Sequence, residues 1–96
     1  MMPRIKICCI SSDAEAAQAI SFGASAIGLV GKMPSGPGPI ADELIKTIAA
    51  SVPPPVATFL LTSEQTAENI VAHHERTHTN TIQIVDELLG REYGAI

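Results

Sequence analysis

The feature that most constrains this chain is its alternation of two hydrophobic periods. Short runs of β-branched and aliphatic residues are separated, each time, by a stretch whose apolar positions repeat at helical spacing. Residues 5–10 are apolar at nearly every position, which predicts a strand covered on both faces. Ser12-Asp13-Ala14-Glu15 matches a capping box, so a helix begins there, with Ala16, Ala19 and Ile20 as its apolar stripe. Gly23 supplies its stop. Residues 24–30 form a second apolar run between Gly23 and Gly31, hence a second strand. The next segment, 31–39, is dominated by Gly and Pro and reads as a long loop.

Ile40, Ala41, Leu44, Ile45, Ile48 and Ala49 then share one helix face, with Asp42 and Glu43 in the first turn where the dipole favours them. Pro53-Pro54-Pro55 ends that helix. Residues 56–61 read as a third strand, and Thr62 or Ser63 as the cap of a helix over about 64–74. Residues 81–85 read as a fourth strand, followed by a polar tail over 86–96 with at most one helical turn. The predicted class is α/β, a parallel β-α-β-α-β-α-β unit with right-handed crossovers. Either a small open sheet or a piece of a barrel satisfies this order. At 96 residues the chain is one domain, and a complete eight-unit barrel needs at least about 200 residues.

Composition narrows the function classes. A net charge of −4 lacks the electrostatic footprint of a general nucleic-acid binder. No apolar run approaches the roughly 20 residues that span a bilayer, and the apolar stretch after Arg4 is too short for a secretory signal. Cys8 and Cys9 are adjacent and cannot staple a fold, so the chain reads as cytoplasmic and reduced.

His74-Glu75-Arg76-Thr77-His78 fits H-E-x-x-H, the spacing that sets two imidazoles on one helix face for zinc. Here the motif falls at a helix end, before Thr79, Asn80 and Thr81, and has no third ligand at a defensible spacing. The expectation is therefore no metal, with His74 packing at the boundary of the stripe formed by Ala67, Ile70 and Val71. Cys8 is the better candidate. Strand alternation puts Lys6, Cys8 and Ile10 on one face, and a lysine in so apolar a strand makes sense beside a polar pocket, where it would lower the pKa of Cys8. The C-terminal end of a parallel strand is also where α/β folds place ligands. Against this stands the ordinary tendency of free cysteines to be buried packing residues. No phosphate loop or dinucleotide fingerprint is present.

These segments resemble phosphoribosylanthranilate isomerase in order. The similarity lies in Lys6-Ile7-Cys8 opening a first strand and in Gly23-Ala24-Ser25-Ala26-Ile27-Gly28-Leu29-Val30, which resembles the family's Gly-Ala-Asp-Ala-x-Gly-Phe strand. Ser35 falls where that family has a Ser-Pro-Arg loop. Val56-Ala57-Thr58-Phe59 resembles its Val-Gly-Val-Phe strand, and Ile82-Gln83-Ile84 its Gln-Leu-His-Gly strand. The resemblance covers this whole chain and the N-terminal half of the family's (βα)₈ barrel. It implies an Amadori rearrangement of phosphoribosylanthranilate in tryptophan biosynthesis, without cofactor or metal. Cys8 would be the base that takes the C2′ proton, and Lys6, Ser35 and Gln83 would bind substrate.

Cys9 stands where the family has glycine, Gly36 follows Ser35 in place of the loop's Pro-Arg, and Val85-Asp86 replaces His-Gly. The acid aspartate and the phosphate-binding loops belong to the family's second half. The resemblance therefore implies a half-barrel that is part of a longer barrel and inactive alone. The other expectation is a non-catalytic interaction domain that dimerises through two unpaired sheet edges and an uncovered inner face.

Overall fold

The alternation is realised as four parallel strands and three helices in a computed structural model that describes residues 4–33, 38–85, 94 and 96. In chain order these are β1 (Lys6–Ile7), α1 (Asp13–Ser21), β2 (Ala26–Val30), α2 (Asp42–Ser51), β3 (Ala57–Thr62), α3 (Ala67–Thr77) and β4 (Thr81–Ile84). The sheet order is β1-β2-β3-β4, each strand paired parallel to its sequence neighbour. The tail expected over 86–96 lies almost wholly outside the described residues.

The helix ends form as their residues dictate. Ser12 Oγ accepts the Glu15 N–H at 3.0 Å, the first half of the capping box. The second half is displaced by one residue: Glu15 Oε1 accepts both the N–H and the hydroxyl of Ser11, each at 2.7 Å. At the other end Gly23 takes φ 101°, its N–H bonds the Ile20 carbonyl and the Ala24 N–H bonds the Ala19 carbonyl. This is a Schellman termination, and the left-handed φ is why glycine serves there.

The core lies between the sheet and the helices. Ile27, Leu29 and Leu60 from the strands pack with Ala16 of α1 and with Ile45 and Ile48 of α2. Each fully buried aliphatic side chain contributes roughly 1.5–3 kcal/mol relative to an exposed one. The strand residues of that core alternate with Ala26, Gly28, Val30, Phe59 and Leu61, which therefore face the other side of the sheet.

Three expectations are corrected. The first strand is two residues long, because Cys9 adopts φ 59° and breaks the extended run. Alternation is lost there, so Ile10 joins the helix-side core and does not share a face with Lys6 and Cys8. Nor is this strand covered on both faces, since Ile5 and Ile7 are exposed.

The third helix starts at Ala67, capped by Thr66, whose hydroxyl accepts the Asn69 N–H at 3.2 Å. Neither Thr62 nor Ser63 caps it: Thr62 closes β3, and Ser63 donates to the Lys32 carbonyl at 2.9 Å. The buried stripe is Ala67, Ile70, His73 and Thr77, so His73 is the fully packed histidine, while His74 is half-buried at the boundary of the stripe, as expected. The inner face is also less bare than expected, since Ala26, Val30 and Leu61 are buried while Phe59 and Gln83 are half-buried.

Candidate active site

The inner face carries polar groups at its two outer strands. Lys6 leaves β1 half-buried, and its ammonium donates to Gln83 Oε1 on β4. On the way Nζ stands 5.0 Å from the centroid of the Phe59 ring on β3. One cation thus bridges β1 and β4 across a small-residue floor that includes Ala26 and Gly28. An aromatic face beneath an ammonium is attractive, and more so where solvent is partly excluded. Two of the sequence-derived binding residues, Lys6 and Gln83, are therefore in direct contact. Ser35 lies outside the described residues.

Cys8 sits just past the C-terminal end of β1, exposed. Its sulfur lies over Gly28: a Cβ at that position would stand 2.8 Å from Cys8 Sγ. Gly28 is thus the floor that lets the thiol lie across β2. Beside it, Cys9 holds its proton more firmly than an ordinary thiol. Partial desolvation raises its pKa most, followed by the charge of Cys8 and a hydrogen bond with Cys8, while Lys6 pulls it down. The arrangement sets two adjacent thiols at the end of β1, on a sheet whose inner face carries the Lys6 ammonium and the Gln83 carboxamide in contact.

Two further polar clusters were read differently from sequence or missed. His73 is buried, with Nδ1 2.9 Å from Thr62 Oγ1 and Nε2 2.8 Å from Asp42 Oδ1. Thr62 Oγ1 accepts the Glu64 N–H at 3.2 Å, so its own proton is available to Nδ1, leaving Nε2–H to donate to Asp42. Thr62-His73-Asp42 has the order of a nucleophile triad, yet Thr62 is fully buried on the helix side, beyond reach of a substrate. Its role is to brace β3, α3 and α2 together.

The H-E-x-x-H pair is separated by the helix end. His74 Nδ1 lies 3.0 Å from Thr79 Oγ1, while His78 is the exposed left-handed C-cap at φ 56°. Among the described residues no group of three His, Cys, Asp or Glu side chains is placed to share a metal ion.

What sequence reasoning missed at the site is Phe59, which it assigned only to a strand, and the clearance role of Gly28. The signal for Phe59 was its two-residue offset from Ala57 on the same face. Gly28 stands out as a glycine inside a strand pattern, which marks close approach by another group.

No family profile matches the chain. Among curated proteins, the N-(5′-phosphoribosyl)anthranilate isomerase of Haloarcula marismortui is 29% identical over 96 residues, covering 99% of this chain and 45% of that protein. That of Halobacterium salinarum is 27% identical over 88 residues. The crystal structure of the Thermus thermophilus enzyme superposes with a TM-score of 0.87 at 27% identity, covering 97% of this chain and 46% of the other. The Thermotoga maritima enzyme gives 0.77 at 28% identity, covering 85% of this chain and 40% of the other. This chain spans less than half the length of each of these proteins. Sequence similarity, strand order and superposition agree: the chain is similar to one (βα)₄ portion of the phosphoribosylanthranilate isomerases.

Proposed function

We propose that this chain supplies the N-terminal half of a phosphoribosylanthranilate isomerase-type active site, acting in the cytoplasm in tryptophan biosynthesis. The observation that carries the reading is the placement of Cys8 over Gly28 at the C-terminal end of β1, beside the Lys6–Gln83 bridge. A relative has been crystallised with the reduced form of 1-(o-carboxyphenylamino)-1-deoxyribulose 5-phosphate, an anionic phosphosugar. On this chain Lys6 and Gln83 would meet a ligand of that class with one positive charge and one amide, and Ser35 is assigned to the same ligand on the resemblance alone.

In the proposed reaction Cys8, as thiolate, removes the C2′ proton of the imine formed when the ribose ring opens. The electron pair left on C2′ forms the C1′=C2′ double bond while the C1′=N π pair moves onto the nitrogen, giving an enol-amine that tautomerises to the ketose. Cys9, which retains its proton, donates a hydrogen bond to the Cys8 thiolate and holds its lone pairs in place. The acid that opens the ring and the phosphate-binding loops come from a second (βα)₄ unit that completes the barrel. Without that unit these residues do not turn over substrate.

The test is to mix the chain with the C-terminal half of the Thermus thermophilus relative and follow loss of phosphoribosylanthranilate fluorescence. Turnover from the mixture, and none from either half, supports the reading. A well-folded complex with no turnover contradicts it.

A second reading has its own observation. Ile5, just before β1, and Ile7 of β1 line a groove of about 550 Å³ with Ala19 of α1 and its C-cap Phe22, and Phe22 is 82% exposed. β1 and β4 are the outer strands of the described sheet. Exposed strand edges and apolar grooves favour association. A Thermotoga maritima relative is described as dimeric. The alternative is therefore a non-catalytic half-barrel that forms a homodimer through these edges, and a dimer that persists in the presence of the complementary half supports it over the first.

A further inference from the structure

The chain leaves β1 through two consecutive thiols, Cys8 and Cys9, neither of them in a disulfide and both exposed. In a regular strand their side chains would point to opposite faces. The φ of 59° at Cys9 cancels that alternation. Two glycines clear the space that the sulfurs occupy: a Cβ on Gly28 would stand 2.8 Å from Cys8 Sγ, and one on Gly38 would stand 2.9 Å from Cys9 Sγ. Desolvation raises the pKa of Cys9 most, the charge of Cys8 and a hydrogen bond with it raise it further, and the charge of Lys6 lowers it.

We propose that Cys8 and Cys9 form a vicinal dithiol that closes reversibly to a disulfide by exchange with a small external disulfide such as glutathione disulfide. The Cys8 thiolate attacks one sulfur of the external disulfide, forming a mixed disulfide and expelling one glutathione thiolate. Cys9 then loses its proton to solvent, and its thiolate attacks the Cys8 sulfur and expels the second glutathione thiolate. Two protein thiols are oxidised to one disulfide, and one external disulfide is reduced to two thiols.

Consecutive Cα atoms are about 3.8 Å apart, closer than the roughly 4.4–6.8 Å of ordinary disulfides. The ring that forms is therefore under tension, and a thiol pool reopens it readily, which suits a switch and not a staple. Closure would also withdraw Cys8 from use as a base; that consequence alone rests on the isomerase reading.

The experiment is intact-mass spectrometry of the 96-residue chain after incubation with glutathione disulfide and alkylation of remaining thiols, with Cys8→Ser and Cys9→Ser alongside. The expected wild-type product is lighter by about two mass units than the reduced chain, carries no alkyl group and no glutathione, and reverts with dithiothreitol. Each single variant is expected to stop at a stable glutathione adduct. Wild-type protein that accumulates a stable glutathione adduct, or a covalent dimer, overturns the proposal. The mass readout is independent of catalysis: closure on treatment with glutathione disulfide, combined with no turnover by the reduced chain in the completed barrel, sinks only the isomerase reading. Turnover that survives in a chain shown by mass to be closed removes Cys8 from the reaction and leaves the dithiol standing.

Discussion

Cys9 shows how one residue can redirect a strand. It is held at φ 59°, a conformation that costs a non-glycine residue about 1–2 kcal/mol, and it stands where the resembling family has glycine. Cys9→Gly removes that cost against a glycine entropy penalty of roughly 0.5–1 kcal/mol, so a net gain of up to about 1 kcal/mol is expected as a higher urea midpoint. A lower midpoint would show that the contacts of the Cys9 side chain outweigh its backbone strain. Strand alternation could not reveal this, because a single left-handed residue inverts every face assignment after it, as Ile10 demonstrates.

Glu15 gives a pH-dependent prediction. Its backbone and hydroxyl hydrogen bonds from Ser11 lower its pKa below the ordinary value of 4.5. A carboxylate depressed in the folded state contributes stability that is fully present above its unfolded pKa and is lost as pH falls through the folded one. Glu15→Gln is therefore expected to lower Tm at neutral pH, with the gap from wild type closing below about pH 4. A gap that stays constant down to about pH 3 would contradict this.

At the scale of elements, the central device is the buried His73. It joins the end of β3 through Thr62 to the first turn of α2 through Asp42, which also accepts from Arg76 Nε at 3.2 Å. His73→Ala leaves Thr62 short of a partner in a buried site and is expected to cost about 2–3 kcal/mol in urea unfolding. A loss under about 0.5 kcal/mol would show that the chain carries no structural weight. Gly31→Ala is expected to be destabilising by roughly 1–3 kcal/mol, because the new Cβ would sit 2.4 Å from His73 Cε1.

Element order, parallel pairing and the Ser12 and Gly23 helix signals were legible in sequence because they depend on local chemistry. The start of α3 was not, since Thr62, Ser63 and Thr66 are all competent caps. The choice among them follows from where β3 must end to let Thr62 meet His73. His73, fully buried in that contact, was not singled out by the pattern, while His74 is half-buried at the edge of the stripe. The contact of Lys6 with Gln83 was legible only as two separate residues, because they stand 77 positions apart in the chain. Curvature of the whole sheet, which no local pattern encodes, brings them together.

At the scale of the molecule, two outer strands and an apolar groove at one of them make this half-barrel an association-prone unit. Light scattering on the chain alone is expected to give a dimer, and Phe22→Asp to shift it toward monomer without loss of helical content. A monomeric wild type over the micromolar range would contradict association through this face.

The central claim is that Cys8 serves as the base of a site that a second (βα)₄ unit completes. The most direct measurement is the steady-state kinetics of Cys8→Ala in the complex with the Thermus thermophilus C-terminal half, with circular dichroism verifying the fold. The account predicts a fall in kcat of about 10²–10⁴-fold with KM little changed, as expected for loss of a positioned base. Turnover within a factor of about three of the unsubstituted complex would contradict it.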